Sequence, residues 1–200
     1  MQALLAGLPV DVCALSDFRP VDFPEEGTDY TVNAIAKARA VCDQIGECAI
    51  ADDSGLEVEA LGGGPGPLSA RYGGAGLDDS GRVSHLLAAL AESKVSGRGA
   101  RFVCYAAFCT PEGRVETAEG ICSGVLLESP SGTGGFGYDP IFVPTGYDRS
   151  MAELPAAVKD EISHRGRALA QLAPLVEAWA IHPGAADSAE SWVDDRKGGP

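Results

Sequence analysis

Two hundred residues with 45% hydrophobic side chains suit one globular unit, or two lobes around one cleft, and are too apolar for a disordered chain. A formal net charge of −14 argues against binding a nucleic-acid backbone, which requires a basic face. No apolar run is long enough for a membrane span, and no basic segment precedes an apolar core at the N-terminus, so the cytoplasm is the expected compartment. The acidity leaves room for a small phosphorylated ligand, because a metal ion and a few Lys or Arg side chains reverse the field locally.

The chain opens with Met-Gln-Ala-Leu-Leu-Ala-Gly, the last turns of a helix with Gly7 as its stop. Pro9 to Leu15 alternates apolar and other residues and predicts a strand. Thr31 to Gln44 predicts a helix with Val32, Ile35, Ala36 and Val41 on one stripe. Glu47 to Ala51 is a short apolar strand running into Asp52-Asp53-Ser54-Gly55, after which Leu56 to Ala60 continues extended. Asp79 to Glu92 predicts an amphipathic helix built on Val83, Leu86, Leu87 and Leu90. Ala100 to Thr110 and Val115 to Leu127 are β-rich, joined by a turn at Pro111-Glu112-Gly113. A Gly-rich loop from Ser131 leads to a short strand at Pro140 to Val143, and Ser163 to Ala180 is the last helix. One domain over residues 1–182 is expected, with a disordered tail over 183–200. The fold class expected is α/β: a mixed central sheet flanked by helices.

Three segments carry chemistry. The first is Asp52-Asp53-Ser54-Gly55. Neighbouring strand residues point to opposite sides, so both carboxylates can hold one metal only if the chain turns here, and Ser54-Gly55 is a good turn pair. Mg²⁺ prefers carboxylate and phosphate oxygens, with Glu25 and Glu26 the nearest candidates for a second ligand. A bare turn ending a strand is the plainer alternative. The second is Gly132-Thr133-Gly134-Gly135-Phe136-Gly137, which matches G-x-G-x-x-G but leads into Tyr138-Asp139-Pro140 and a strand rather than a helix. It reads as a loop presenting Phe136 and Tyr138 to a base, with Asp139 as an acceptor, or as a plain hairpin loop. The third is Lys159 with His164, Arg165 and Arg167. Ser163 is a good N-cap, and cations in the first helical turn make sense if an anion docks there; a solvated basic face is the alternative. The six cysteines have no zinc-type spacing and read as reduced thiols.

Together these segments resemble the Ham1-like inosine triphosphate pyrophosphatase family. The matching stretches are Asn33-Ala34-Ile35-Ala36-Lys37-Ala38, Ile50 to Leu56, Ser69-Ala70-Arg71-Tyr72, Gly132 to Phe142 and Ile162 to Ala168. The resemblance implies a mixed α/β fold of two lobes around a substrate cleft, and Mg²⁺-dependent hydrolysis of ITP, dITP and XTP to monophosphate and pyrophosphate by a homodimer. It implies Asp53 as general base and metal-site residue, Glu25 as a second acidic residue of that site, and Ser54, Phe136, Gly137, Tyr138, Asp139, Lys159, His164 and Arg165 as substrate contacts. Arg167 stands where a lysine is common. The family normally begins with a strand and a Thr/Ser-x-Asn-x-x-Lys phosphate loop, which does not precede Met1-Gln2-Ala3-Leu4-Leu5 here. Either the start is placed too late, or this is a short form with weak or no activity. The alternative function is therefore a nucleotide-binding or dimerisation module without turnover. A related enzyme acting on modified pyrimidines fits the motif set less well.

Overall fold

The computed structural model describes Leu5 and residues 7–182. The expected tail from residue 183 lies outside this range. The expected helix end at Met1–Gly7 lies outside this range except for Leu5, which is buried, and Gly7, which has a positive φ of 100°.

Five strands form one sheet in the order β2-β1-β3-β4-β5. These are β1 (Ala49–Val58), β2 (Pro65–Gly66), β3 (Gly99–Cys109), β4 (Val115–Leu126) and β5 (Phe142–Pro144). The helices are α1 (Tyr30–Ile45), α2 (Asp79–Glu92), α3 (Ala156–Ile162) and α4 (His164–Ile181). The α/β class is as expected. Every strand pairing among the described residues is antiparallel, so the parallel component of a mixed sheet is not among them. The reason is connectivity: the β1–β2, β3–β4 and β4–β5 links each return the chain antiparallel beside the strand it left, while the crossover through α2 joins β2 to β3, which run the same way but are separated by β1 and never pair.

Alternation along the strands sorts the core. Leu56 and Val58 of β1 and Ala100 and Phe102 of β3 pack with Val83, Leu86 and Leu90 of α2 and with Phe142 and Met151. Farther along the same face, Cys104, Ala106 and Phe108 meet Ala168, Leu169, Leu172 and Val176 of α4. The opposite face carries Ala49, Ala107 and Cys109 against Ala34, Ala38 and Cys42 of α1. That is the period-2 geometry of a sheet covered on both sides.

Two further expectations differ from the structure. The expected strand at Pro9 to Leu15 is not one: residues 11–14 have no regular structure and Leu15–Asp17 is a 3-10 turn. The alternation is real, since Leu8, Val10 and Val12 pack onto the α4 cluster, but it reports that burial rather than regular strand geometry. The turn expected at Ser54-Gly55 is absent. β1 runs unbroken from Ala49↔Cys109 to Val58↔Ala100 against β3. Gly55 is required for close approach instead, because a Cβ there would overlap the Gly66 carbonyl and crowd the Tyr30 hydroxyl.

Helix ends follow local chemistry. Asp29 caps α1 by accepting from Val32 N at 2.9 Å, and Gly46, with φ of 85°, ends it. Ser163 caps α4 by accepting from Gly166 N at 3.1 Å. The seven-residue α3, between Pro155 and that cap, is too short to show a periodicity in sequence.

Candidate functional site

A cleft of about 480 Å³ opens beside β1, bordered by α1, the start of α2, the loop at Phe136–Asp139 and the N-terminus of α4. Because β1 does not turn, Asp52 and Asp53 point to opposite faces, and each has its own partners.

Asp53 faces α1. Its Oδ2 accepts from Asn33 Nδ2 at 2.9 Å and its Oδ1 from Lys37 Nζ at 2.9 Å. Asn33 and Lys37 stand four apart on α1, the spacing that stacks two side chains on one helix face. Lys37 also donates to Glu26 Oε1 at 2.9 Å, and Arg71 lies 3.7 Å from Glu26 Oε2. Burial works against the Lys37 ammonium, but hydrogen bonds and charge from Asp53 and Glu26 outweigh it and hold the lysine cationic. Asn33 further ties the approach loop by accepting from Gly27 N at 2.8 Å and donating to Gly27 O at 3.1 Å.

Asp52 faces α4. Its Oδ2 accepts from Arg165 Nη2 at 2.8 Å, Arg165 Nε at 3.1 Å and Ser54 Oγ at 2.8 Å. Burial alone would raise its carboxyl, yet the Arg165 charge and these hydrogen bonds hold it below its ordinary value. The cation in the first turn of α4 thus has its anion inside the protein. Arg165 also lies over the Phe136 ring, 5.5 Å from its centroid. His164 stacks on Phe102 with centroids 4.8 Å apart, and its Nδ1 has no partner. Burial, helped by Arg165, pushes this imidazole down to about 4, so it is neutral near pH 7.

The glycine loop forms a lip over the cleft. Phe136 is 61% exposed, whereas Tyr138 is buried with its hydroxyl donating to Ser69 O at 2.9 Å. Lys159 Nζ donates to Asp139 Oδ2 at 2.6 Å beneath the lip. Gly135 (φ 81°) is fixed by that ion pair, since a Cβ would overlap both Asp139 Oδ2 and Lys159 Nζ. The loop continues into a 3-10 turn at Asp139–Ile141 and then β5, not into a helix.

Of the residues singled out in sequence, Asp52, Asp53, Ser54, Phe136, Gly137, Tyr138, Asp139, His164 and Arg165 line this one cleft. Lys159 reaches it through Asp139. Of the two loop acids considered, Glu26 borders the cleft, while Glu25 is exposed and outside its lining. Sequence reasoning gave no role to Asn33, Lys37, Asp79 or Arg82. The i,i+4 pair on α1 was a visible signal, but nothing in sequence aimed it at Asp53; Asp79 and Arg82 carried no signal. Asp53 and Glu26 bring two carboxylates onto one ammonium, so their oxygens already share a cation. That donor set, with phosphate oxygens added, suits a divalent ion such as Mg²⁺.

Similarity to known proteins follows this geometry. The model of the Ham1 family matches residues 1–175. A protein named dITP/XTP pyrophosphatase from Streptomyces coelicolor is 44% identical over 88% of this chain and 90% of its own length. One of the same name from Corynebacterium efficiens is 47% identical over 84% of each. Among solved structures, a HAM1 protein from Coxiella burnetii superposes with a TM-score of 0.82 at 38% identity, covering 88% of this chain and 91% of that one. A nucleoside-triphosphatase, dITP/XTP pyrophosphatase, from Mycobacterium abscessus gives 0.68 at 44% identity, covering 86% and 90%. With the match spanning the sheet, the cleft and the α4 terminus alike, this chain belongs to the Ham1 family.

Proposed function

We propose that this chain hydrolyses deaminated purine nucleoside triphosphates, ITP, dITP and XTP, to the monophosphate and pyrophosphate. The observation that carries the reading is Asp53: buried, bordering the cleft, and held at both oxygens by Asn33 and Lys37. The names of its relatives support the substrate class.

Asp53 is the general base. Its fixed carboxylate takes a proton from water as the water oxygen bonds to the α-phosphorus and the bond to the β-phosphate bridge breaks, releasing pyrophosphate. Lys37 and Arg165 supply positive charge near the phosphates, and such neutralisation is most of what phosphoryl chemistry asks of a protein. Mg²⁺, held by Asp53 and Glu26 together with phosphate oxygens, would polarise the phosphates and acidify a bound water. The exposed Phe136 ring offers a stacking face to the base, and neutral His164 presents an unpaired Nδ1 nearby. A donor aimed at the 6-oxo group would reject adenine, whose amine leaves that donor unpaired. We take the enzyme to be cytoplasmic and homodimeric.

The test is pyrophosphate release from ITP, dITP, XTP, GTP and ATP, with and without Mg²⁺. Release from ITP, dITP and XTP that stops on chelation is expected. Nucleotide-induced thermal stabilisation with no turnover would instead identify a binding module.

A further inference from the structure

The lip over the cleft is built from backbone with little intrinsic rigidity: Gly132, Gly135 and Gly137 all have positive φ. What fixes it is therefore a question of individual hydrogen bonds. Ser131 N donates to Pro140 O at 2.8 Å and Gly134 N to Ala152 O at 3.1 Å. Phe136 N reaches Asp139 Oδ2 at 3.3 Å, within the lip itself. Gly137 N donates at 2.7 Å to Asp79 Oδ2, which belongs to a different element, the first turn of α2.

α2 is a firm anchor. Asp78, not Asp79, caps it by accepting from Gly81 N at 2.8 Å, and Val83, Leu86 and Leu90 are buried in the core. Asp79 is thus left free to turn outward. Its Oδ1 accepts from Arg82 Nη1 at 2.9 Å, which aims the other oxygen at the lip. Both Asp79 and Arg82 line the cleft, and the residue next to the tethered amide is Phe136, the exposed ring.

We propose that Asp79 is a positioning residue for nucleotide binding: tied to α2 and aimed by Arg82, it holds the Gly137 amide and so sets the height of the Phe136 ring above the base. The inference rests on the pyrophosphatase reading above. Asp79 acts on how the base is held, not on the bond that breaks, because Asp53 and the phosphate charges stand on β1, α1 and α4. It predicts a split between binding and chemistry. A role confined to the α2 terminus would alter stability alone, by a fraction of a kcal/mol.

The experiment is steady-state hydrolysis of ITP by wild type, Asp79→Ala and Asp79→Asn, with product inhibition by IMP and by pyrophosphate, and melting temperatures for each. In Asp79→Ala, the KM for ITP and the inhibition constant for IMP should rise about tenfold, with kcat within about twofold and pyrophosphate inhibition unchanged. Asp79→Asn keeps an oxygen that accepts from Gly137 N and should recover most of the loss. Asp79→Ala with unchanged KM and IMP affinity would overturn the proposal, as would a variant in which kcat and pyrophosphate affinity fall while KM rises. A wild type inactive on every triphosphate overturns the pyrophosphatase reading and this one with it, whereas an active wild type beside an indifferent Asp79→Ala overturns this one alone.

Discussion

Asp52 and Asp53 are chemically identical neighbours that the strand sends to opposite faces. Asp52 is closed upon itself: Arg165 and Ser54 satisfy one of its oxygens, and the ion pair joins β1 to α4. Asp53 is held by Asn33 and Lys37, and its lysine is shared with Glu26 at the cleft margin. The difference teaches that a paired carboxylate is not yet a paired catalytic site. An unbroken strand splits the pair within one cleft: Asp52 ties β1 to α4 through a single oxygen, while Asp53 is held at both oxygens by α1, beside Glu26.

Substitution at the two positions should break differently. Asp53→Asn keeps the shape and one acceptor for Asn33, so the fold should survive, but a general base is gone. Pyrophosphate release from ITP should fall by about 10²–10⁴-fold, with a melting temperature close to that of wild type. Near-normal turnover in a folded Asp53→Asn protein would remove Asp53 from the mechanism. Asp52→Ala leaves the Arg165 guanidinium without its internal anion in a largely enclosed site. Stability should drop by about 3 kcal/mol, measured by urea unfolding. If instead Asp52→Ala were stable and only inactive, the two carboxylates would have to share one catalytic task.

The sequence made the broad outline legible because that outline rests on local patterns. α2 falls at Asp79–Glu92 as its periodicity implies, and the β3–β4 hairpin turns where Pro111-Glu112-Gly113 stands. What it hid were relations between distant residues. Gly55 looks like a turn residue in sequence and proves to be a contact between β1 and the β2 segment. The cations at the start of α4 suggested an external anion, but Asp52, more than a hundred positions away, is the one that pairs with Arg165. Tyr138 lines the cleft, but nothing in sequence showed that its hydroxyl is held by Ser69. The segment at Pro9 to Leu15 has the alternation of a strand, but that alternation reports its packing onto the α4 cluster and not regular strand geometry.

The smaller consequence of the split concerns acid. His164 lies on the Asp52 face, beside Arg165 and stacked on Phe102, and burial followed by Arg165 lowers it from 6.5 to about 4. A basic group whose folded value lies below its unfolded one favours folding only where both states are neutral. Between pH 6.5 and about 4 the unfolded chain takes the proton and the folded chain does not, so stability falls as pH falls through that window. From pH 7 to pH 5 the loss is about 2 kcal/mol, a drop of about 4–8 °C in melting temperature from this residue. Asp52 does not contribute there, because Arg165 holds it below 3.8 and it loses its own share only in stronger acid. His164→Phe retains a ring against Phe102 and removes the titration. Its melting temperature should therefore change less between pH 7 and 5 than that of wild type by about this amount. An equal acid shift in both proteins would mean that His164 is protonated in the fold, and that the neutral imidazole assigned to the cleft is wrong.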